Sequence, residues 1–179
     1  VLSIEDVCTK VLKLAGSSIK WVCITGGEPL EQPEAFAALA QVLKYYRYKI
    51  EVETSGLIEL PSSLDFDPFV NSWIPDLKCP GSHVLKQPIL SDLARLRRGD
   101  QLKCVVSDEK DLEYVDAILK TYPTKAHILI SPVEGYGRMT SEEGRKLPNV
   151  PGAGYDQQWL ERVAEYCKER GYRLNLQMH

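Results

Sequence analysis

Apolar residues along this chain follow two spacings, one typical of helices and one typical of strands. Ile4, Val7 and Val11 recur at helical spacing, and Ser3 precedes them as a candidate N-cap. Short uninterrupted apolar runs between such segments indicate buried strands. The full pattern predicts helices over 4–15, 33–46, 91–96, 109–122 and 157–170. It predicts strands over 21–25, 49–54, 72–77, 101–106, 127–131 and 173–178.

This alternation of helices and strands predicts an α/β fold. Strands that are joined through helices run largely parallel, with right-handed crossovers. Six strands are too few for a closed barrel of eight, so we expect an open, partial barrel of mostly parallel strands with outer helices. The series begins on a helix and the chain lacks an initiator Met, so we expect the first strand to be missing and the chain to be N-terminally incomplete. The predicted organisation is one domain over 1–179.

Composition narrows the functional classes. The chain is 44% hydrophobic and 26% charged, and its net charge of -3 argues against bulk binding to nucleic acid. No apolar run approaches the roughly 18 residues that span a membrane. Five cysteines, an odd number without short spacing, argue against a disulfide scaffold or a zinc site and favour a reducing cytoplasm.

The segment 25–30 carries the clearest candidate chemistry. Gly26 and Gly27 follow a predicted strand and let a ligand approach the backbone. Glu28 then places a carboxylate at the carboxyl end of that strand, where α/β folds bind their ligands. The combination suits a cationic or amino-bearing small molecule, whereas the two glycines alone are equally typical of a plain turn.

Polar residues also follow the other predicted strands, and parallel topology is expected to bring these ends to one rim. They are Glu53 and Ser55, Asp76 and Lys78, Lys103 with Ser107 and Asp108, Ser131, and Gln177 with His179. Simpler interpretations remain open for several of them. Glu53 is compatible with a solvated strand end, and Asp76 with Lys78 is compatible with an exposed ion pair. Lys103 lies in an otherwise apolar strand, where an unpaired ammonium is expensive.

Histidines and cysteines have mainly structural interpretations. His83 and His127 have no acidic or cysteine partners nearby in sequence, so we interpret them as structural or surface residues. We interpret the five cysteines as ordinary buried thiols, with Cys23 and Cys104 inside apolar strands.

Five segments together resemble one known family. Residues 24–30 (ITGGEPL) are similar to the motif with which radical S-adenosylmethionine (SAM) enzymes bind the cofactor's amino group. Residues 52–56 (VETSG), 76–80 (DLKCP) and 103–106 (KCVV) resemble three further strand segments of these enzymes. The ending 173–179 (RLNLQMH) is similar to that of the 7-carboxy-7-deazaguanine synthase family. The resemblance covers nearly the whole chain and implies a radical-SAM-type barrel.

The resemblance implies a reaction and its cofactors. A [4Fe-4S] cluster reduces SAM to methionine and a 5′-deoxyadenosyl radical, which takes a hydrogen from 6-carboxy-5,6,7,8-tetrahydropterin. Ring contraction and loss of ammonia give 7-carboxy-7-deazaguanine, with Mg²⁺ in the site, for queuosine and archaeosine synthesis. Implied partners are a reductant such as flavodoxin or ferredoxin and a second copy of the chain in a homodimer. Neither nucleic acid nor a membrane is expected as a partner.

The resemblance also implies residue roles. SAM would be held by Gly27, Glu28, Glu53, Ser55, Asp76, Leu77, Lys78, Ser131, Pro132, Val133 and Glu134. Within this set, Gly27 and Glu28 would bind the methionine ammonium, and Glu53 the ribose hydroxyls. The pterin would be contacted by Thr25, Gln177 and His179.

One family feature is missing. Radical SAM enzymes hold their cluster on three closely spaced cysteines, and no such spacing occurs among Cys8, Cys23, Cys79, Cys104 and Cys167. We therefore expect the cluster cysteines and the Mg²⁺ ligand to precede Val1. Two alternatives are another radical SAM enzyme of the activase type, and a cluster-free domain that binds SAM or a partner without chemistry.

Overall fold

The structure, a computed structural model, describes residues 2–15, 18–61, 68–86, 88–133 and 156–176. Its helices are α1 (Ile4–Ala15), α2 (Pro33–Tyr45), α3 (Glu109–Thr121) and α4 (Gln157–Arg170). Its strands are β1 (Trp21–Ile24), β2 (Lys49–Thr54), β3 (Ser72–Leu77), β4 (Gln101–Val106), β5 (His127–Pro132) and β6 (Arg173–Leu174). Short 3₁₀ turns cover Pro29–Glu31, Pro80–Ser82 and Leu90–Arg95.

The helices begin where local hydrogen bonds favour it. Ser3 Oγ accepts from the Asp6 backbone N–H at 3.1 Å, and the Asp6 carboxylate accepts from Ser3 N at 3.0 Å, which makes a reciprocal cap on α1. Asp108 and Asp156 cap α3 and α4 through the N–H of the residue three positions later. The prediction of Ser3 as the N-cap of α1 is confirmed.

The six strands form one parallel sheet in sequence order, from β1 to β6. The sheet is open, with β1 and β6 as its outermost described strands. The predicted α/β fold with an open parallel sheet is therefore confirmed.

Two predicted elements differ from the structure. The helix predicted over 91–96 is instead the 3₁₀ segment Leu90–Arg95, of which only Asp92 and Leu93 are buried. So short a segment is not enough to stabilise an α-helix. The strand predicted over 173–178 is paired only at Arg173–Leu174 among the described residues. Its residues 177–178 lie outside the described residues, as do 134–155.

The two faces of the sheet differ in chemistry because neighbouring side chains point to opposite faces. On one face the helices cover apolar residues such as Ile50, Val52, Leu102 and Cys104, which are at most 1% exposed. Each such buried aliphatic side chain contributes on the order of 1.5–3 kcal/mol. The opposite face carries the charged residues Glu51, Glu53, Asp76 and Lys103, which are only partly buried, so this part of the face is available to a ligand.

Candidate functional site

The uncovered face of the sheet, called the polar face below, collects titratable residues from four strands. These are Cys23, Glu51, Glu53, Asp76 and Lys103, and the buried Ser131 of β5 lies on the same face. Cys23 pairs in register with Glu51, and Asp76 pairs with Lys103, so these side chains are direct neighbours across strands. Parallel pairing thus brings together residues from separate segments of the chain.

The turn after β1 is shaped by its two glycines. Gly26 and Gly27 adopt φ values of +86° and +59°, which glycine reaches without strain. A Cβ atom at either position would meet nothing within 4 Å, so the backbone there is open to a ligand. Thr25 is exposed and lines, with Gly26, a mainly apolar cavity of about 200 Å³ between α1, α2 and the end of β1.

Glu28 connects this turn to the end of β2. Its Oε1 accepts from Leu30 N at 3.1 Å and from Thr54 Oγ1 at 2.8 Å. Its Oε2 accepts from Ser55 N at 2.7 Å and from Ser55 Oγ. Burial raises the pKa of the Glu28 carboxyl, but the hydrogen bonds from Ser55, Leu30 and Thr54 outweigh it and hold this pKa below its ordinary value. The carboxylate is therefore ionised at neutral pH.

The end of β2 presents Glu53, and the turn after it presents Ser55. Glu53 Oε2 lies 3.8 Å from Lys103 Nζ, with side chains that are 42% and 15% exposed. The partner expected for Lys103 is thus Glu53, two strands away. Gly56 ends this turn at φ +70°, and a Cβ there would lie 2.1 Å from the backbone oxygen of Asp76. The turn is therefore packed directly against β3.

The end of β3 carries a close ion pair. Lys78 Nζ lies 2.6 Å from Asp76 Oδ2, and both side chains are about one-quarter exposed. Leu77 between them is 2% exposed and packs in the core, so only its backbone faces the site. The pair is therefore not fully exposed, and its partial burial strengthens the electrostatic attraction between Asp76 and Lys78.

The end of β5 is closely packed. Ser131 is fully buried, and its Oγ accepts from Asn175 Nδ2 at 2.9 Å. Pro132 is buried, and Val133 donates its backbone N–H to Val106 O at 3.0 Å. Three residues with predicted roles, Glu134, Gln177 and His179, lie outside the described residues.

Several contributing residues were missed by sequence reasoning. Asp111 is 1% exposed and accepts from Gly81 N at 2.8 Å, Ser107 N at 2.7 Å and Ser107 Oγ at 2.8 Å. It therefore joins the turn after β3 to the end of β4. Its position three residues after the cap Asp108 is an N-terminal helix signal, but the sequence does not reveal its contact with Gly81. Thr54 and Asn175 lie within motif segments, but no role was predicted for either of them.

Among the described residues, histidines and cysteines do not assemble a metal site. His83 and His127 are exposed, as the surface interpretation expected. Cys8, Cys79, Cys104 and Cys167 are buried free thiols. The prediction of a buried thiol is wrong for Cys23, which is exposed because β1 is an outermost strand and the polar face has no covering helix. Within the described ranges, no three His, Cys, Asp or Glu side chains are grouped as metal ligands.

Cys23 has an unusual environment for an exposed thiol. Partial burial, then the charges of Glu53 and Glu51, raise its pKa to about 11. We expect alkylation of Cys23 by iodoacetamide at pH 8 to be roughly a hundredfold slower than for a thiol of ordinary pKa, since the thiolate is the nucleophile. Mass spectrometry of the Cys23 peptide against pH measures this rate.

Charge removal provides the control for this prediction. Glu53→Gln and Glu51→Gln should each speed the alkylation of Cys23, and unfolding in urea should restore the ordinary rate. An apparent pKa at or below the ordinary thiol value in the folded protein would contradict the assigned environment.

No helix in the described part of the chain is long and apolar enough to cross a membrane.

Comparison with known proteins identifies relatives, although no protein-family profile matches the chain. The chain is 37% identical over 126 residues to the 7-carboxy-7-deazaguanine synthase of Methanospirillum hungatei. The matched region covers 68% of this chain and 50% of that protein. It is 30% identical over 144 residues to the enzyme of that name from Thermoplasma acidophilum, which covers 80% of this chain and 65% of that protein. The chain thus spans half to two-thirds of the length of these relatives.

Solved structures give the same fold. The crystal structure of QueE from Escherichia coli matches 99% of this chain and 64% of its own, with a TM-score of 0.66 and 21% identity. A domain of pyruvate-formate lyase-activating enzyme from Bacteroides vulgatus matches with a TM-score of 0.62 and 15% identity, over 88% of this chain and 98% of that one. At these identities the structures show the fold alone. The resemblance drawn from the motifs is confirmed: the chain is a relative of the 7-carboxy-7-deazaguanine synthases and has a radical-SAM-type α/β fold.

Proposed function

We propose that this chain forms the SAM-binding part of a radical SAM enzyme of the 7-carboxy-7-deazaguanine synthase type. The proposal depends on the two turns after β1 and β2. Hydrogen bonds to the Glu28 carboxylate hold these turns together at the edge of the polar face. An open glycine backbone in the first turn and carboxylates near the second suit the ammonium and ribose of a nucleoside amino acid. The similarity of residues 24–30 to the motif that binds the amino group of SAM supports this ligand.

We propose specific roles for the residues around these turns. The backbone of the Gly26–Gly27 turn would accept from the methionine ammonium. Glu53, the more exposed partner of the Lys103 pair, would accept from ribose hydroxyls. The backbone of Leu77 and the Asp76–Lys78 pair would border the nucleoside. Its adenine side would be lined by Ser131, Pro132, Val133 and Glu134.

The two implied cofactors differ in how well this chain fits them. SAM fits the polar face, and when bound to a reduced cluster it supplies a 5′-deoxyadenosyl radical. The cluster does not fit the residues of this chain, since four of the five cysteines are buried on separate elements and Cys23 stands apart on β1. No described group fits Mg²⁺ through clustered carboxylates. The contribution of this chain is to bind and orient the nucleoside and to exclude water.

The finer proposal concerns the substrate and partners. We propose 6-carboxy-5,6,7,8-tetrahydropterin as the substrate and 7-carboxy-7-deazaguanine as the product, as a carbon–nitrogen lyase step in 7-deazapurine synthesis. Thr25, Gln177 and His179 would contact the pterin. A flavodoxin or ferredoxin would supply electrons, and a second copy of the chain would complete a cytoplasmic homodimer.

Turnover by the intact protein tests this function. After anaerobic reconstitution with iron and sulfide, the protein should convert the carboxytetrahydropterin to the deazaguanine product. Absence of product, with intact cluster and bound SAM, would favour another radical SAM reaction of the activase type. Absence of iron and sulfide from the native protein, with retained nucleoside binding, would favour the cluster-free alternative.

Glu53 allows a sharper test of the binding site. We expect Glu53→Gln to weaken S-adenosylhomocysteine binding about tenfold, because a charge-assisted hydrogen bond to ribose is replaced by a neutral one. Isothermal calorimetry measures the loss. Glu113→Gln is the matched control, since Glu113 is exposed on α3, away from the polar face. Equal affinities of wild type and Glu53→Gln for S-adenosylhomocysteine would show that Glu53 is not part of the binding site.

A further inference from the structure

The Glu28 carboxylate already has a full set of hydrogen-bond donors. An ionised carboxylate offers about four lone-pair positions, and Glu28 uses them for two backbone N–H groups and two hydroxyls. All of these donors belong to the chain, and two of them come from Ser55 on the neighbouring strand end. A ligand ammonium could bind Glu28 only by displacing a donor that is held at 3.1 Å or less.

We propose that Glu28 is a positioning residue, which holds the turn Thr54–Gly56 in place, and that its carboxylate does not bind the ligand. This inference rests on the proposed function, because it assigns the ammonium of the SAM methionine to the backbone of the first turn. Glu28 follows the glycines that face the amino-acid part of the ligand. Through Ser55, however, it affects the binding of the nucleoside part.

The geometry of the second turn explains how Glu28 can act at a distance. Gly56 rests on the backbone of Asp76 and accepts from Ile89 N at 3.0 Å, so the far side of the turn is fixed. The near side is tied to Glu28 through Ser55. Without the carboxylate the turn loses one of its two anchors, and Glu53, directly before it, loses its place beside Lys103.

The substitution Glu28→Gln removes the anchor without removing volume. An amide nitrogen cannot accept a hydrogen bond, so either Leu30 N or Ser55 N loses its acceptor whichever way the amide is oriented. Glu31→Gln is the matched control, because Glu31 lies three residues later and is exposed to solvent.

Two nucleosides separate the positioning role from direct binding of the ammonium. S-adenosylhomocysteine carries the amino acid, whereas 5′-methylthioadenosine has the same adenosine and thioether without it. In calorimetry on the intact protein, Glu28→Gln should weaken both probes by a similar factor, about tenfold, the equivalent of 1.4 kcal/mol. A loss confined to S-adenosylhomocysteine would show that Glu28 binds the ammonium and would overturn the proposal.

A double-mutant cycle and a ligand-free measurement complete the test. Ser55→Ala removes one donor to Glu28, so its effect on 5′-methylthioadenosine affinity should be less than additive with that of Glu28→Gln. In the ligand-free protein, amide hydrogen exchange at Ser55 should accelerate in Glu28→Ala, which removes both acceptor oxygens, and stay unchanged in Glu31→Ala. If the wild type binds neither nucleoside, the proposed function fails, and unchanged exchange at Ser55 separately overturns the role of Glu28.

Discussion

The variant Gly56→Ala is expected to lose about 3 kcal/mol or more of unfolding free energy, the largest single effect that the described structure predicts. Two costs add at this position. The φ of +70° strains any residue with a Cβ, and that Cβ would also lie 2.1 Å from the backbone oxygen of Asp76. Because a backbone carbonyl in a sheet cannot move aside, the turn itself must shift. Urea unfolding followed by circular dichroism measures the loss.

Gly171→Ala is the matched control for Gly56→Ala. Gly171 ends α4 at φ +68°, but a Cβ there meets nothing within 4 Å. We expect this variant to lose only about 1 kcal/mol, the cost of the backbone conformation without a clash. Gly56→Ala should also weaken S-adenosylhomocysteine binding, whereas Gly171→Ala should not. Equal losses of stability in the two variants would show that the close approach to Asp76 does not restrict which side chain position 56 can carry.

The second large effect is expected for Asp111→Asn, which should lose about 3 kcal/mol of unfolding free energy. The carboxylate of Asp111 accepts from two backbone N–H groups and one hydroxyl in the protein interior. An amide cannot accept at both oxygen positions, so Gly81 N or Ser107 N is left buried without an acceptor. A loss of this size lowers the melting temperature by about 6–12 °C in a chain of this length, which calorimetry measures.

Asp6→Asn provides the comparison for Asp111→Asn. Asp6 also accepts a backbone N–H and a hydroxyl at the start of a helix, but it does so at the surface, where water replaces a lost partner. We expect little change in the melting temperature of Asp6→Asn. A similarly small change in Asp111→Asn would show that the turn after β3 does not depend on its carboxylate.

The secondary structure was largely predictable because its signals are local. Helix α3 follows the N-cap Asp108 and has Leu112 and Val115 buried on one face, as its apolar spacing predicts. The parallel order of the strands followed from the helices between them. The 3₁₀ segment Leu90–Arg95 was predicted wrongly as a helix, because an apolar pattern over so few residues does not distinguish the two forms.

The candidate site was predictable in its location more than in its contacts. The carboxyl ends of parallel strands meet at one rim, so Glu28, Ser55 and Asp76 could be assigned to the same region from their positions alone. The partner of each side chain could not be assigned in this way. Thr54 lies 26 residues from Glu28 in sequence, and Gly81 lies 30 residues from Asp111.

The sequence by itself therefore determined most of the elements, the parallel sheet and the family, since these depend on periodicity, capping residues and short motifs. Only the tertiary structure decided which carboxylates face a ligand and which hold the chain together. Glu28 and Glu53 look alike in sequence, yet one is surrounded by the chain's own donors and the other lies partly exposed on the polar face. The physical reason is that a carboxylate's role depends on the donors within about 3 Å, and those come from distant segments that meet only in the fold.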